Sequence, residues 1–170
     1  HQFNDAGVTA LVIIDMFADK LPEVLAKTQV QHVVLTSLAE FFPVVPRGII
    51  RAVQKVWSRA LPPVTVPHTR LKTALALGRD TLAKTPAATL WQRISLDTLA
   101  VLQYTGGTTG VSKGAMLTHS NLLHNVQQML AMGGTFMKKD EECVLTALPL
   151  YHIFAFTANL LGFLTLGGRN

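Results

Sequence analysis

The densest chemistry in the chain lies in one stretch, Tyr104-Thr105-Gly106-Gly107-Thr108-Thr109-Gly110-Val111-Ser112-Lys113-Gly114. It holds four glycines, three threonines, one serine and one lysine. Glycine lets backbone N–H groups approach an oxyanion closely, and such turns form anion-binding nests. Hydroxyls add neutral donors, and a lysine adds a mobile positive charge. The combination suits a polyphosphate. Further on stands Leu148-Pro149-Leu150-Tyr151-His152-Ile153-Phe154, with one histidine as a candidate acid, base or ligand.

Three standard loops can be compared with the glycine-rich run. A P-loop needs Gly before its Lys and Ser or Thr after it, whereas Lys113 is flanked by Ser112 and Gly114. A dinucleotide fingerprint needs glycine where Thr105 stands. The nucleophile elbow G-x-S-x-G does match Gly110 to Gly114, and Asp140 and His152 follow in hydrolase order. A serine hydrolase using Ser112 therefore stays open as an alternative, as does a non-catalytic nucleotide-binding module. Against the hydrolase, the loop is long for a sharp strand-to-helix elbow.

These residues need elements to hold them. Leu99 to Thr105 predicts a strand leading into the loop, and a helix is expected from Thr118 or Ser120 to about Met132, closed by Gly133-Gly134. Val144 to Leu148 predicts another strand, and a helix is expected from about Ile153 to Leu166. Upstream, Val8 to Ile14 and His32 to Thr36 are apolar, β-rich runs that predict strands buried on both faces, as in a parallel sheet. Asp19 is the expected N-cap of a helix between them. Residues 1–36 therefore form a βαβ unit, 37–98 a basic, proline-rich insert with one or two helices, and 99–170 the loop and its following elements. The expected class is α/β, mostly parallel, with flanking helices.

Composition narrows the setting. Hydrophobic residues are 49% and charged residues 15%, against roughly 25% charged in an average soluble domain, which excludes a disordered tail. One cysteine, Cys143, excludes a disulfide framework and fits a reducing compartment, so a cytoplasmic location is expected. No acid lies between Glu40 and Asp80, a stretch carrying seven of the 15 bases; the remainder has 8 bases against 10 acids. This is not the pattern of a uniformly basic nucleic-acid binder. No initiator Met and no signal peptide open the chain, and a Gly pair near its end calls for a following element, so an internal fragment is expected. A fragment should expose apolar surface or cover it by self-association. Val144 to Gly168 carries no charge, which raises a transmembrane alternative, but Pro149, His152 and Asn159 interrupt it.

Tyr104 to Gly114 resembles the phosphate-loop signature of the adenylate-forming superfamily, Y-T-S-G-T-T-G-x-P-K-G, and Leu148 to Phe154 resembles its second signature. The flanks, Leu102-Gln103-Tyr104, Leu117-Thr118-His119 and Tyr151 to Ala155, are most similar to bacterial long-chain fatty acid–CoA ligases. Gly106 stands where many members have Ser, and Ser112 stands at the usual Pro. The resemblance implies an incomplete part of the large N-terminal domain, with the C-terminal domain and its lysine absent. It implies that ATP, with Mg²⁺, activates a fatty acid carboxylate as acyl-adenylate, and that coenzyme A then displaces AMP. Thr105, Gly106, Gly107, Thr108, Thr109, Gly110 and Lys113 would hold the phosphates. Thr109 would be the one contact near the metal, and His152, Lys113 and Thr109 would be the catalytic set. Phe156 falls where some members place an aromatic gate to the acyl tunnel. The fragment alone is expected not to turn over.

Arg47, Arg51, Lys55 and Arg59 recur every four residues, so on a helix they span an arc of roughly 120°. Ile49, Ile50, Val53, Val56, Trp57 and Ala60 fall opposite, with Pro46 before and Pro62-Pro63 after as helix limits. Two readings follow. The helix packs its apolar face on the protein with a solvated basic face, or it lies on an anionic membrane with Trp57 at the headgroups, making the protein peripheral on the inner membrane.

Overall fold

A computed structural model describes residues 1–57, 60–106, 110–134 and 136–170, with the main chain alone at Trp57. The chain divides into two units, His1–Gln92 and Arg93–Asn170. Both are α/β.

The first unit opens with a short helix, α1 (Gln2–Asp5), and then strand β1 (Ala10–Ile14). A 3₁₀ turn over Asp15–Lys20 leads into α2 (Leu21–Ala26), and β2 (His32–Thr36) follows. The strands pair in parallel, Ala10 opposite His32 through Ile14 opposite Thr36. The expected βαβ unit is present. Asp19, however, lies inside the 3₁₀ turn rather than capping a helix; α2 starts without a side-chain cap, with Pro22 in its first turn. Proline fits there because its missing N–H would have no partner at that position.

Next come α3 (Val44–Ala52), continued by a π-helical turn over Val53–Trp57, then β3 (Thr69–Arg70), α4 (Leu71–Lys84) and α5 (Ala88–Trp91). β3 pairs in parallel with β2, Val34 opposite Thr69, giving the order β1-β2-β3. The proline-rich segment thus supplies a strand to the sheet and more helix than the sequence predicts. Ala18, Leu21, Val30, Val33 and Leu35 form the buried cluster, with Leu11 and Ile13 packed against it. That is one face of the sheet. The other is not covered as expected, for Val12 is 64% exposed. An apolar run signals a strand that can be covered twice, but coverage needs a second layer, and this unit packs its core on one side.

The basic helix also differs from expectation. It begins at Val44, with Pro43 as N-cap and Pro46 within it. Its apolar residues Val45, Ile49 and Val56 are exposed, while Arg51 turns inward to Asp15. Asp15 is buried, and a buried carboxylate without cations costs more than leaving a few aliphatic side chains in water. Arg59 lies outside the described residues.

The second unit contains β4 (Leu99–Thr105) and β5 (Lys113–Thr118), an antiparallel hairpin with an irregularity between Leu99 and Val101. Helix α6 (His119–Gly133) follows directly. Thr118 caps it: the Asn121 N–H donates to Thr118 Oγ1 at 3.3 Å, and the Thr118 N–H donates to Asn121 Oδ1 at 2.9 Å. Removing such a cap costs about 1 kcal/mol. Thr118→Ala is therefore expected to lower thermal stability by about that amount and Thr118→Ser to retain it. Equal melting of all three proteins would sink this account.

Val144 to Leu148 does not form the expected strand. Among the described residues its surroundings offer only a bridge between Cys143 and Arg169, and Leu145 is 89% exposed. β-propensity makes a ladder only where a partner strand is present. The last helix runs as expected, but its middle, Ala155–Gly162, is π-wound before α7 (Phe163–Leu166). Gly167, at φ 75°, ends it in the left-handed conformation that glycine adopts without penalty. No described helix is long and apolar enough to cross a membrane.

Candidate active site

The glycine-rich run is the connection of the β4–β5 hairpin. Thr105 ends β4, Lys113 begins β5, and the two face each other across the ladder. The Ser112 hydroxyl donates to the Thr105 carbonyl at 2.8 Å and so ties the neck of the loop. Where relatives of the signature have a proline to stiffen this point, a side-chain hydrogen bond does part of that work here. One step further in, Tyr104 faces Gly114, and a Cβ at position 114 would lie 3.0 Å from the tyrosine ring. Glycine lets the ring close over the second strand.

The described part of the loop is open. A Cβ at Gly106 or Gly110 would meet nothing within 4 Å. Lys113 is exposed, and no ion pair among the described residues holds its ammonium. Thr105, Gly106, Gly110 and Lys113 are thus gathered at one hairpin tip with space for an anionic group. The expectations for Gly107, Thr108 and Thr109, including Thr109 near a metal, lie outside the described residues.

The second signature approaches the stem of the hairpin. Gln103, two residues before Thr105, donates through Nε2 to the Tyr151 carbonyl at 3.5 Å, a long bond at the limit of useful geometry. His152 follows Tyr151 in a turn, its N–H on the Pro149 carbonyl at 2.9 Å. Its Nδ1 accepts from the Phe154 N–H at 3.3 Å, and its carbonyl accepts from the Phe156 N–H at 2.9 Å. These bonds fix the main chain and engage one ring nitrogen of the exposed imidazole. Gln103 was not singled out from the sequence as a site residue; a polar side chain within an apolar strand, two residues before the loop, is the signal that marks it.

Phe156 lines a mostly apolar cavity of about 340 Å³ with Val101, Leu122, Val126 and Leu161. A neighbouring cavity of about 400 Å³ lies between Leu117, Asn121 and Thr157. Volumes of this order hold small ligands. The His124 ring bonds Ser120, while the His119 main-chain N–H bonds the Thr98 carbonyl.

Ser112 immediately precedes the return strand of a hairpin. The nucleophile elbow instead turns from strand to helix and lifts its serine above a sheet. The architecture therefore runs against the hydrolase alternative.

The sequence profile of the AMP-binding enzyme family matches residues 1–170, the whole chain. The chain belongs to this family. Among curated relatives, the long-chain-fatty-acid–CoA ligase of Salmonella typhimurium is 43% identical over 100% of the chain. The enzyme of that name from Haemophilus influenzae is 38% identical over 98%, and that from Bacillus subtilis 32% over 93%. The chain spans only 29%, 29% and 27% of these proteins. Among solved structures, ATP-bound MatB from Rhodopseudomonas palustris superposes with a TM-score of 0.59 at 21% identity. That match covers 97% of this chain and 25% of the other, and it shows a shared fold.

Proposed function

We propose that this chain is the phosphate-binding portion of a long-chain fatty acid–CoA ligase. The observation that carries the reading is the open hairpin tip of Thr105, Gly106, Gly110 and Lys113, in a chain 43% identical along its whole length to a long-chain-fatty-acid–CoA ligase. In the proposed reaction, a carboxylate oxygen attacks the α-phosphorus of ATP, giving acyl-adenylate and releasing pyrophosphate. The coenzyme A thiol then attacks the acyl carbon and AMP leaves. This chain's residues would bind and orient. The loop glycines and Thr105, Gly107, Thr108 and Thr109 would donate to the β- and γ-phosphates, and Lys113 would neutralise their charge. His152 would face the carboxylate and α-phosphate, and Phe156 would gate the acyl chain. Mg²⁺ would enter with the nucleotide, with Thr109 as the hydroxyl nearest it.

The proposed partners are a long-chain fatty acid, coenzyme A and an anionic membrane surface reached through 47–60, in a cytoplasmic protein peripheral on the inner membrane. The isolated 170 residues would self-associate through uncovered apolar surface. They would not turn over, because they span 29% of such an enzyme's length.

The test is pyrophosphate release with ATP, palmitate and coenzyme A, by the full-length protein and by the 170-residue chain. Release by the full-length protein alone is expected. Release by the short chain would refute its inactivity. A full-length protein that binds ATP but releases no pyrophosphate with any carboxylate would leave a non-catalytic nucleotide-binding module.

A further inference from the structure

The phosphate loop and the turn that carries His152 belong to different elements. Each has hydrogen bonds of its own: Ser112 to the Thr105 carbonyl in the loop, His152 N–H to the Pro149 carbonyl in the turn. Such local bonds set the form of each piece and not the place of one against the other. The Tyr151 side chain adds little, being 82% exposed.

Gln103 reaches the turn from the side of the loop. Residues two apart share one face of a strand, so Gln103 stands on the face of β4 that carries Thr105. Across the ladder, Ala115 faces Gln103 and Lys113 faces Thr105. From this position Gln103 Nε2 donates to the Tyr151 carbonyl at 3.5 Å, 48 positions along the chain. That carbonyl and the His152 N–H belong to one planar peptide unit. The unit is therefore held at both ends, by Gln103 on its oxygen and by the Pro149 carbonyl on its N–H at 2.9 Å. It is the unit from which the His152 side chain springs. Gln103 is half-buried, in a strand whose neighbouring residues are Leu102 and Tyr104. An aliphatic residue of the same size would serve packing there, and an amide gains only where it finds a partner.

The ring is set as well. The Phe154 N–H donates to His152 Nδ1 at 3.3 Å, so in the neutral imidazole Nε2 carries the proton. His152 then offers a substrate oxygen an N–H donor, and a donor of this kind acts through its placement.

We infer that Gln103 is a positioning residue for adenylate formation: through the Tyr151 carbonyl it fixes His152 relative to the phosphate loop. The inference rests on the ligase reading.

The experiment compares the full-length protein with Gln103→Met, which keeps the length of the side chain and removes the donor. Pyrophosphate release with ATP and palmitate is measured, alone and in a His152→Ala background. Gln103→Met is expected to lower kcat about tenfold, since displacing a positioned group by a fraction of an ångström to 1 Å has effects of this order. The KM for ATP and the melting temperature should stay as they were. Added to His152→Ala, the substitution should cost nothing further, because the group through which it acts is already gone. The same loss in both backgrounds would overturn the inference, as would a wild-type kcat for Gln103→Met. A raised KM for ATP at unchanged kcat would overturn it too, and would place Gln103 with the nucleotide-binding loop. A full-length protein that releases no pyrophosphate with any carboxylate would defeat the ligase reading and this inference with it. An active protein indifferent to Gln103→Met would defeat this inference alone.

Discussion

Lys113→Ala in the full-length protein is expected to cut the rate of pyrophosphate release by a hundredfold or more, and Thr109→Ala likewise. Lys113 opens β5 directly across from Thr105, so its ammonium is delivered to the mouth of the loop. Its charge is not spent on an ion pair within the described chain. A donor held in place before charge develops on a phosphate is worth about 3–4 kcal/mol in the transition state. Ser112→Ala should be mild by comparison. It removes one exposed hydrogen bond, to the Thr105 carbonyl, and such a bond contributes about 1 kcal/mol net. The ranking separates the chemistries. A hydrolase would be inactivated by Ser112→Ala and would tolerate Lys113→Ala. That result, in a kcat comparison of the three variants, would reverse the assignment.

The second large effect is on stability. Leu35→Ala is expected to cost about 2–5 kcal/mol, because Leu35 is fully buried in the central strand of the parallel sheet. It packs with Ala18, Leu21 and Val33, so truncation leaves a cavity bounded by two elements of the first unit. Val12→Ala, on the neighbouring strand, should cost about 0.5 kcal/mol or less, since Val12 is mostly exposed. The contrast controls for β-propensity, as both are aliphatic strand residues. In thermal unfolding of the full-length protein, Leu35→Ala should lower the midpoint by about 2–4 °C and Val12→Ala by a small fraction of that. Similar shifts for both would show that the sheet is covered on the Val12 face too.

The stability contrast also marks where a sequence stops being informative. His32 to Thr36 and Leu99 to Thr105 announce their strands through runs of β-branched and apolar residues, and both strands have those limits. The start of α6 is legible in Thr118, and the end of the last helix in Gly167, because capping and left-handed turns depend on a few adjacent residues. The glycine and threonine loop was readable for the same reason. Its chemistry resides in consecutive residues, whatever the surrounding fold.

What depends on partners distant in sequence was not legible. The loop is a hairpin tip only because Lys113 to Thr118 pairs back on β4, and Gln103 meets Tyr151 across 48 positions. Val144 to Leu148 has the residues of a strand and no ladder to join. Thr69-Arg70 has little strand character of its own and becomes β3 because β2 offers it an edge. The basic helix is the clearest case. Periodicity identified its two faces and left two readings of the apolar one open, packed on the protein or laid on a membrane. Tertiary structure set the helix's orientation, because Asp15 lies buried at the end of β1 and draws Arg51 and Arg70 towards it. A buried charge left without a counter-charge costs more than exposed valines and isoleucines, and that comparison exists only once the strand ends have been brought together.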